Sequence, residues 1–348
     1  MQAITFQDKQ TLKYESIPDP VILRDDDAIV RVHIAGVCGS DLHVYHGRET
    51  GIDCGTAMGH EFVGEIVEKG RGVHHFQKGD MVISPFSTNC GVCHFCKIGL
   101  TCRCIHNQLY GWREKGEGLH GGQAEYVRVP MADASLMLLP EGVSQKAGLM
   151  LGDNFSTGYY CAEQADIQPN GTYAVLGCGS VGLMAVLATR MLGATQIYAI
   201  DTVPERLEKA KSFGAIPINF KTQNPVEIIM EATKGIGADA VLEVVGSNEA
   251  SGMAMRLVRL GGTISTVGVH TTPFAFTPAD AYDKNLTFRI GRCPARHYMT
   301  KLTDKLTTFD AEISSVITHE FDLAEGVEAY RIFDKKEDGC IKSVLLSR

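Results

Sequence analysis

The pattern of apolar and polar positions changes about 150 residues into the chain. Before that point the apolar runs are short, as in Ala28–Ile34 and Glu61–Val67, and turn-forming Gly, Asp and Pro separate them. Short apolar runs bounded in this way predict β-strands. A region with many strands, many glycines and little helical periodicity favours a barrel or a sandwich.

From there on, strands alternate with helices. The run Tyr173–Leu176 predicts a strand, Ser180–Leu192 carries apolar residues on one helical face, and Pro204 begins a second helix. Further strands are predicted at Gln196–Ile200, Ile216–Phe220, Ala240–Val245, Thr263–Val269 and Leu286–Ile290. This alternation indicates βαβ units and a parallel sheet. After about His297 the pattern is mixed again, with a strand at Ile341–Leu346, so we expect two domains with the second inserted in the first.

Composition narrows the classes of function. A chain of 348 residues is long enough for two domains with apolar cores. Its formal charge is -8 and it has no basic cluster, which argues against a general nucleic-acid binder. No apolar run approaches the ~18 residues of a membrane span, and the N-terminus lacks the features of a secretory signal. We therefore expect a cytoplasmic protein that binds neither nucleic acid nor membrane.

The cysteines point to a metal. There are 11, an odd number in a long chain, which argues against a complete disulfide framework. Five of them crowd together in a lobe at residues 88–106: Cys90, Cys93, Cys96, Cys102 and Cys104. Zn²⁺ in closed structural sites prefers four tetrahedral thiolates, and C-x2-C spacing lets one turn deliver two of them. We predict that the ligands are Cys90, Cys93, Cys96 and Cys104, with Cys102 as an alternative to Cys104.

A dinucleotide site is predicted in the middle of the chain. Gly177–Gly182 reads G-x-G-x-x-G, follows a strand and begins a helix, which is the context that this motif requires. Its glycines permit a tight turn and a close approach of phosphates to a helix N-terminus. The candidate phosphate-binding residues are Gly177, Gly179, Ser180, Val181 and Gly182.

The nucleotide is predicted to be NAD. Asp201 follows the second strand, at the position where a carboxylate accepts hydrogen bonds from the adenosine ribose and repels a 2′-phosphate. Arg206 lies about a helical turn further along and is also a candidate cofactor-binding residue.

A second metal set is sparser. It contains Cys38 in the stretch Gly36–His43, and the pair His60 and Glu61. A catalytic zinc has three protein ligands and one open position. The residues alone do not choose the third ligand.

Taken together, the chain resembles the zinc-containing alcohol dehydrogenases of the medium-chain dehydrogenase/reductase family. The resemblance runs nearly end to end, in the order Cys38–Asp41, Gly59–Glu61, the four-cysteine lobe, Gly177–Gly182 and Ile341–Lys342. It implies a mixed α/β fold in which a GroES-like, β-rich catalytic domain at 1–155 is interrupted by a Rossmann domain, a doubly wound parallel sheet, at 156–293. Residues 294–348 return to the catalytic domain, and the active site lies in the cleft between the two.

The resemblance also implies roles at the catalytic zinc. The third ligand is Asp153, before Ser156–Gly158, where many members have cysteine; Glu61 approaches the metal in some states. Ser40 takes the substrate proton and His43 ends the relay, while Asp41 steadies His60.

Further cofactor contacts come from the same resemblance. Thr157 packs against the nicotinamide, Lys342 lies near the pyrophosphate, and two short segments hold the carboxamide by their backbones. Those segments are Val267, Gly268 and Val269, and Ile290, Gly291 and Arg292. Gly39 departs from members that carry Arg there, so one phosphate contact is missing.

The expected activity is hydride transfer between a primary or secondary alcohol and NAD, with two Zn²⁺ per chain. A polyol or sugar dehydrogenase of the same family is an alternative. A zinc-free quinone reductase would leave Cys38, His60 and the cysteine lobe without purpose, and a non-catalytic zinc- and NAD-binding sensor would bind both without turnover. From the family we also expect a homo-oligomer, a tetramer rather than a dimer.

Overall fold

The computed structural model describes residues 1–347, so Arg348, the last residue of the predicted C-terminal segment, lies outside the described residues. The chain divides into two compact units. The first contains Met1–Ser156 and the residues from Pro294 onward, and the second is Thr157–Cys293. Across residues 1–347, no helix combines the length and apolar character needed to cross a membrane.

The first unit is built mainly of strands. Its strands before the second unit are β1 (Gln2–Asp8), β2 (Thr11–Ser16), β3 (Ala28–Val37), β4 (Thr56–Ala57), β5 (Phe62–Lys69), β6 (Met81–Ser84), β7 (Trp112–Glu114), β8 (Glu117–Leu119), β9 (Tyr126–Val129) and β10 (Met137–Leu138). Its helices there are α1 (Gly39–Tyr45), α2 (His94–Lys97), α3 (Ala132–Ser135), α4 (Gln145–Gly152) and α5 (Asn154–Gln164), the last of which continues into the second unit.

The second unit alternates strands with helices. Its strands are β11 (Thr172–Leu176), β12 (Gln196–Asp201), β13 (Ile216–Asn219), β14 (Ala238–Glu243), β15 (Val258–Thr266) and β16 (Thr287–Ile290). Its helices are α6 (Ser180–Met191), α7 (Pro204–Ser212), α8 (Pro225–Ala232), α9 (Asn248–Leu257) and α10 (Pro278–Asp283). The strands form one parallel sheet in the order β13-β12-β11-β14-β15-β16. The direction of winding reverses between β11 and β14, the point at which open α/β sheets bind ligands.

Two predicted strands of the second unit extend well past their observed ends. The predicted strand Thr263–Val269 ends at Thr266, and Ala240–Val245 ends at Glu243. The backbone N–H groups of Val267 and Gly268 both donate to the Glu243 carbonyl, at 3.1 and 3.4 Å, which turns the chain out of the sheet. Apolar alternation continued past both ends, so periodicity alone placed these loops inside strands.

The chain then returns to the first unit. The elements are α11 (Ala295–Lys301), α12 (Thr303–Thr308), α13 (Asp310–Ser314), β17 (His319–Asp322), α14 (Gly326–Lys335) and β18 (Ser343–Leu346). Strand β18 pairs antiparallel with β3 and parallel with β17, so the main sheet of the first unit runs β10-β6-β5-β3-β18-β17. The last described residues thereby lie beside β3, the strand that leads to Cys38.

Candidate active site

Four side chains of the first unit converge on one small volume. One ligand atom each of Cys38, His60, Glu61 and Asp153 lies within 4.8 Å of the others. The Cys38 Sγ and the His60 Nε2 are each 3.6 Å from the Asp153 Oδ2. The thiol and both carboxylates are almost entirely shielded from solvent.

The sheet explains why distant residues meet here. Cys38 follows β3, and His60 and Glu61 immediately precede β5, which pairs with β3 in antiparallel register. The Gly36 N–H donates to the Glu61 carbonyl at 3.0 Å, and a Cβ at Gly36 would fall 1.8 Å from the Glu61 carboxylate. Asp153 occupies the break between α4 and α5. The glycine in β3 is therefore required for the close approach of the two strand ends.

The charges of the site suit a divalent cation. Three buried carboxylates, those of Asp41, Glu61 and Asp153, face a single buried ammonium, that of Lys342. Although burial by itself lowers the pKa of His60, Asp41 and Asp153 raise it well above its usual range. The carboxylates thus favour a positive charge at the His60 Nε2, the nitrogen that lies beside Asp153. A thiol, an imidazole and a carboxylate are also donors that Zn²⁺ accepts.

Asp41 holds the orientation of His60. Its Oδ1 lies 3.0 Å from the His60 Nδ1, so a proton on that nitrogen leaves Nε2 free to act as a ligand. Its Oδ2 accepts from the Cys38 N–H at 2.9 Å, at the start of α1. One carboxylate therefore orients the imidazole and fixes the backbone of the neighbouring cysteine.

Glu61 is engaged by two buried partners. Lys342 Nζ donates to one carboxylate oxygen, and Asn154 Nδ2 donates to the other at 2.5 Å. Burial raises the pKa of Glu61 despite Lys342, and Glu61 raises the pKa of Lys342 against the effect of burial. In Asp153, His60 outweighs burial and holds the pKa below its usual range. The Lys342 ammonium donates its hydrogen bond to Glu61, and the role of Lys342 at the pyrophosphate stays a prediction.

The predicted relay residues lie on α1. Ser40 Oγ is 3.2 Å from the His60 Nε2, so the hydroxyl lies next to the candidate ligands. His43 is three residues further along and hence on the same side of the helix. Within residues 1–347, the His43 Nδ1 is buried without a hydrogen-bond partner. Burial lowers the pKa of His43, which keeps the imidazole neutral near pH 7.

The cysteine lobe presents the second cluster. One sulfur atom each of Cys90, Cys93, Cys96 and Cys104 lies within 4.8 Å of the others. The N–H groups of Cys96 and Ile105 lower the pKa of Cys93 to about 6, whereas burial raises that of Cys96 to about 12. Backbone amides also donate to the Cys104 sulfur, from Cys90 at 3.2 Å and from residue 106 at 3.4 Å. Four converging sulfurs with aligned amides are the donor set of a closed zinc site, and Cys102 is outside the cluster.

In the second unit, the glycine loop adopts the geometry that its sequence requires. Gly177 has φ +87°, a conformation that disfavours larger residues. A Cβ at Gly182 would lie 1.8 Å from the Gly177 carbonyl oxygen, so α6 packs directly on the loop. At Gly179 the nearest atom to a Cβ is the Arg206 Nη1, at 3.8 Å, which leaves the loop surface open. Ser180 and Val181 form the first turn of α6.

Asp201 ends β12 and ties this loop together. Its Oδ2 accepts from the Cys178 N–H at 2.7 Å, and its Oδ1 accepts from the N–H groups of Thr202 and Val203 at 2.6 and 3.0 Å. Arg206 Nη1 lies 4.0 Å from the Asp201 carboxylate. The carboxylate is thus a structural acceptor for the backbone as well as a candidate ribose ligand, and the arginine is closer than sequence spacing suggested.

The other candidate cofactor residues lie at the ends of strands or on α5. Thr157 is in α5, Val267–Val269 follow β15, and Ile290 ends β16. Gly291 and Arg292 follow, and the Gly291 N–H donates to the Thr266 carbonyl at 3.3 Å. Contact of these residues with a cofactor stays a prediction.

Comparison with known proteins identifies the family. The family model for the alcohol dehydrogenase GroES-like domain matches residues 24–141, and that for the zinc-binding dehydrogenase matches 180–308. Zinc-type alcohol dehydrogenase B of Aspergillus flavus is 40% identical over 342 residues, covering 96% of this chain and 79% of that protein. This chain belongs to the zinc-dependent alcohol dehydrogenases of the medium-chain dehydrogenase/reductase family.

Solved structures agree with this assignment. Alcohol dehydrogenase TADH from Thermus sp. ATN1 superposes on this dehydrogenase with a TM-score of 0.93, at 39% identity and with full coverage of both chains. The 2R,3R-butanediol dehydrogenase of Bacillus subtilis superposes with a TM-score of 0.82 at 26% identity, over 100% of this chain and 99% of that one. The predicted fold class, a GroES-like domain with a Rossmann-type parallel sheet, is confirmed.

Three residues of this dehydrogenase site escaped sequence reasoning. Asn154 bridges Glu61 and Asp153, with its Nδ2 3.1 Å from the Asp153 Oδ2. Gln123 donates to the Asp41 Oδ2 at 3.3 Å and accepts from the Tyr330 hydroxyl at 2.9 Å. Asn154 directly follows the predicted ligand Asp153, and this adjacency is a signal from which it could have been found. The glutamine and the tyrosine lie in unremarkable stretches, and only the fold brings them to the site.

Proposed function

We propose that this dehydrogenase transfers a hydride between a primary or secondary alcohol and NAD, interconverting the alcohol with its aldehyde or ketone. The observation that carries the proposal is the convergence of the Cys38, His60, Glu61 and Asp153 ligand atoms within 4.8 Å. Because Lys342 engages Glu61, the first three ligands are best supplied by Cys38, His60 and Asp153. Three protein ligands leave the open position that a catalytic zinc needs.

The residues around this site support alcohol chemistry. Zinc bound there supplies a Lewis acid that lowers the pKa of a hydroxyl group or polarises a carbonyl. Ser40, beside the ligands, takes the hydroxyl proton and passes it toward His43, whose neutral imidazole accepts it. Asp41 keeps the His60 ring fixed throughout. NAD, when bound, supplies the hydride acceptor.

A substrate panel tests the proposal. Metal-replete protein is mixed with primary alcohols, secondary alcohols and NAD, and NADH formation is followed by absorbance. Turnover should disappear on chelation, return with Zn²⁺ and be lost in Asp153→Ala, while NADH binding to that variant persists. His43→Ala should lose activity mainly near neutral pH, because hydroxide takes the relayed proton at high pH. Tight NADH binding with no turnover on any alcohol or carbonyl would instead support the sensor alternative.

Polyol oxidation is the second candidate. The structural similarity to the 2R,3R-butanediol dehydrogenase supports a vicinal diol as the alternative substrate class. The distinguishing measurement is kcat/KM for 2-butanol, 2,3-butanediol and sorbitol under the same conditions. A preference of about 10-fold or more for the hydroxyl-rich compounds, equivalent to ~1.4 kcal/mol, would assign the enzyme to polyols.

Assembly and location complete the proposal. We propose a cytoplasmic homotetramer, whose mass by light scattering would be four times that of the 37.8 kDa chain. A mass of two chains would make it a dimer.

A further inference from the structure

A buried carboxylate at the end of β14 gathers hydrogen bonds from two neighbouring loops. Glu243 is 1% exposed. Its Oε1 accepts from the N–H groups of Val245 and Gly246, each at 2.8 Å. Its Oε2 accepts from the Thr266 hydroxyl and lies 2.8 Å from the His270 Nε2. The donors belong to the loop after β14 and to the end of β15 with the loop that follows it.

His270 completes this arrangement as a donor. Because a carboxylate only accepts, the proton of the pair lies on the His270 Nε2. The imidazole side chain is 6% exposed, and the Phe274 ring packs on it with centroids 4.4 Å apart. Among residues 1–347, the His270 Nδ1 is buried with no hydrogen-bond partner. A phenyl ring at this position would have no buried nitrogen without a partner. What the imidazole adds over a phenyl ring is therefore its hydrogen bond to Glu243.

The two loops are also in direct backbone contact. A Cβ on Gly246 would lie 2.5 Å from the Val269 carbonyl oxygen, and one on Gly268 would lie 2.3 Å from the Gly246 nitrogen. Glycine at both positions allows this approach, and Glu243 then holds the loops from within. The position of Val267–Val269 is therefore set by one carboxylate and its donors.

This loop lies where a ligand is expected. It follows β15 at the carboxyl edge of the parallel sheet, beside β14 and hence next to the reversal of strand order. Ligands of such sheets bind outside that edge. Val269 is 45% exposed, so the loop has a free surface although its supporting side chains are buried.

We propose that Glu243 and His270 are positioning residues that fix the Val267–Val269 backbone for the nicotinamide end of the cofactor. This inference rests on the proposed use of NAD. The two side chains act through the loop: they hold it in one geometry before the cofactor arrives, which lowers the free-energy cost of ordering it on binding. The adenosine half is served by the separate glycine loop and Asp201.

Binding of two probes separates positioning from general damage. NADH and ADP-ribose, which lacks the nicotinamide, are titrated calorimetrically into metal-replete protein carrying His270→Phe, His270→Gln or Glu243→Gln. His270→Phe keeps an aromatic ring and removes the donor, and should raise the Kd of NADH by about 10-fold, with less than about 2-fold change for ADP-ribose. Glu243→Gln should change the two Kd values in the same way. His270→Gln offers an amide N–H to Glu243 and should restore NADH binding to within about 3-fold of wild type.

A matched control uses a histidine–carboxylate pair of the other unit. The His46 Nε2 lies 2.7 Å from the Asp334 Oδ1, so His46→Phe removes a similar bond and should leave both Kd values unchanged. Equal weakening of NADH and ADP-ribose in the His270 and Glu243 variants would overturn the inference, since it would indicate general damage to the unit. Unchanged NADH binding in both His270→Phe and Glu243→Gln would overturn it too. Failure of wild-type protein to bind NADH would overturn the proposed function together with this inference.

Discussion

Lys342 and Glu61, 281 residues apart in sequence, form a buried ion pair beside the candidate catalytic ligands. Their side chains are 0% and 1% exposed. The ammonium is bonded to the carboxylate that lies next to His60 in sequence, whereas the Asp153 Oδ2 lies 3.6 Å from the Cys38 Sγ. The pair therefore bears on which carboxylate serves as a ligand as well as on stability.

Removing the Lys342 ammonium should lower the stability of the protein. Lys342→Met keeps most of the side-chain volume and leaves Glu61 buried without its counter-ion, so we expect the free energy of unfolding to fall by about 3 kcal/mol. Urea denaturation of zinc-loaded protein measures this. Adding Glu61→Gln should recover much of the loss, because the double variant has no uncompensated charge.

The surface pair of Lys146 and Glu320, whose side chains are 38% and 43% exposed, supplies the control. Lys146→Met should cost less than about 1 kcal/mol. If Lys342→Met were equally mild, the buried pair would not stabilise the fold as its geometry suggests.

The two clusters predict two zinc ions per chain. Wild-type protein should contain both by elemental analysis, and Cys93→Ser should lose one and melt at a lower temperature, because structural zinc contributes directly to folding. Cys54 is exposed and outside both clusters, so Cys54→Ser should keep both ions. Full zinc content and unchanged melting in Cys93→Ser would show that the quartet is misassigned.

Cofactor choice should depend on Asp201. A 2′-phosphate of NADP would meet its carboxylate, so we expect kcat/KM to favour NAD by at least ~10-fold, or ~1.4 kcal/mol. Asp201 also accepts from the N–H groups of Cys178, Thr202 and Val203. Asp201→Asn, which keeps an acceptor oxygen, is therefore a cleaner variant than Asp201→Gly. It should narrow the preference mainly through KM, as Arg206 becomes available to the phosphate.

Steady-state kinetics with both cofactors decide the matter. A wild-type preference for NADP, or a ratio that Asp201→Asn leaves untouched, would mean that this carboxylate does not read the ribose.

Stability should fall as the solution becomes acidic, partly because of His120. Burial and then Arg113 lower the pKa of His120 to about 4 from the ordinary 6.5. The Ala57 N–H donates to its Nδ1 at 3.0 Å, a bond that a protonated ring cannot accept. Since the unfolded chain binds this proton first, the stabilisation is complete above about pH 6.5 and is lost as the pH falls toward 4.

After allowance for the partial exposure of His120, the loss should be about 1 kcal/mol. His120→Gln has no titrating ring, so its unfolding free energy should change less between pH 7 and pH 4.5 than that of wild type. His75→Gln, at an exposed position, should follow wild type. Parallel curves for wild type and His120→Gln would rule out this contribution.

Local signals in the sequence were sufficient to predict the glycine loop and the four-cysteine cluster. The glycine loop at 177–182 and the cysteine spacing at 90–104 are short-range patterns, and backbone geometry follows from them directly. Asp153 could be named only through a family resemblance, because a lone aspartate before a helix has many ordinary uses. Gln123 and Tyr330 could not be named at all, since their contact with the Asp41 network depends on sheet pairing. Val267–Val269 were named through the resemblance, but their departure from the sheet could not be predicted, because their apolar residues continue the alternation of β15.

Strand β18 has a consequence for how the protein is made. It lies between β3 and β17, and Lys342 immediately precedes it, so the main sheet and the ion pair with Glu61 both require residues 342–346. A ribosome completes residues 157–293 before these residues emerge, and domains generally fold as units during synthesis. The second unit can therefore complete its folding while the nascent chain is still attached to the ribosome. The metal-binding pocket matures later, because it has to wait until residues 342–346 have been synthesised.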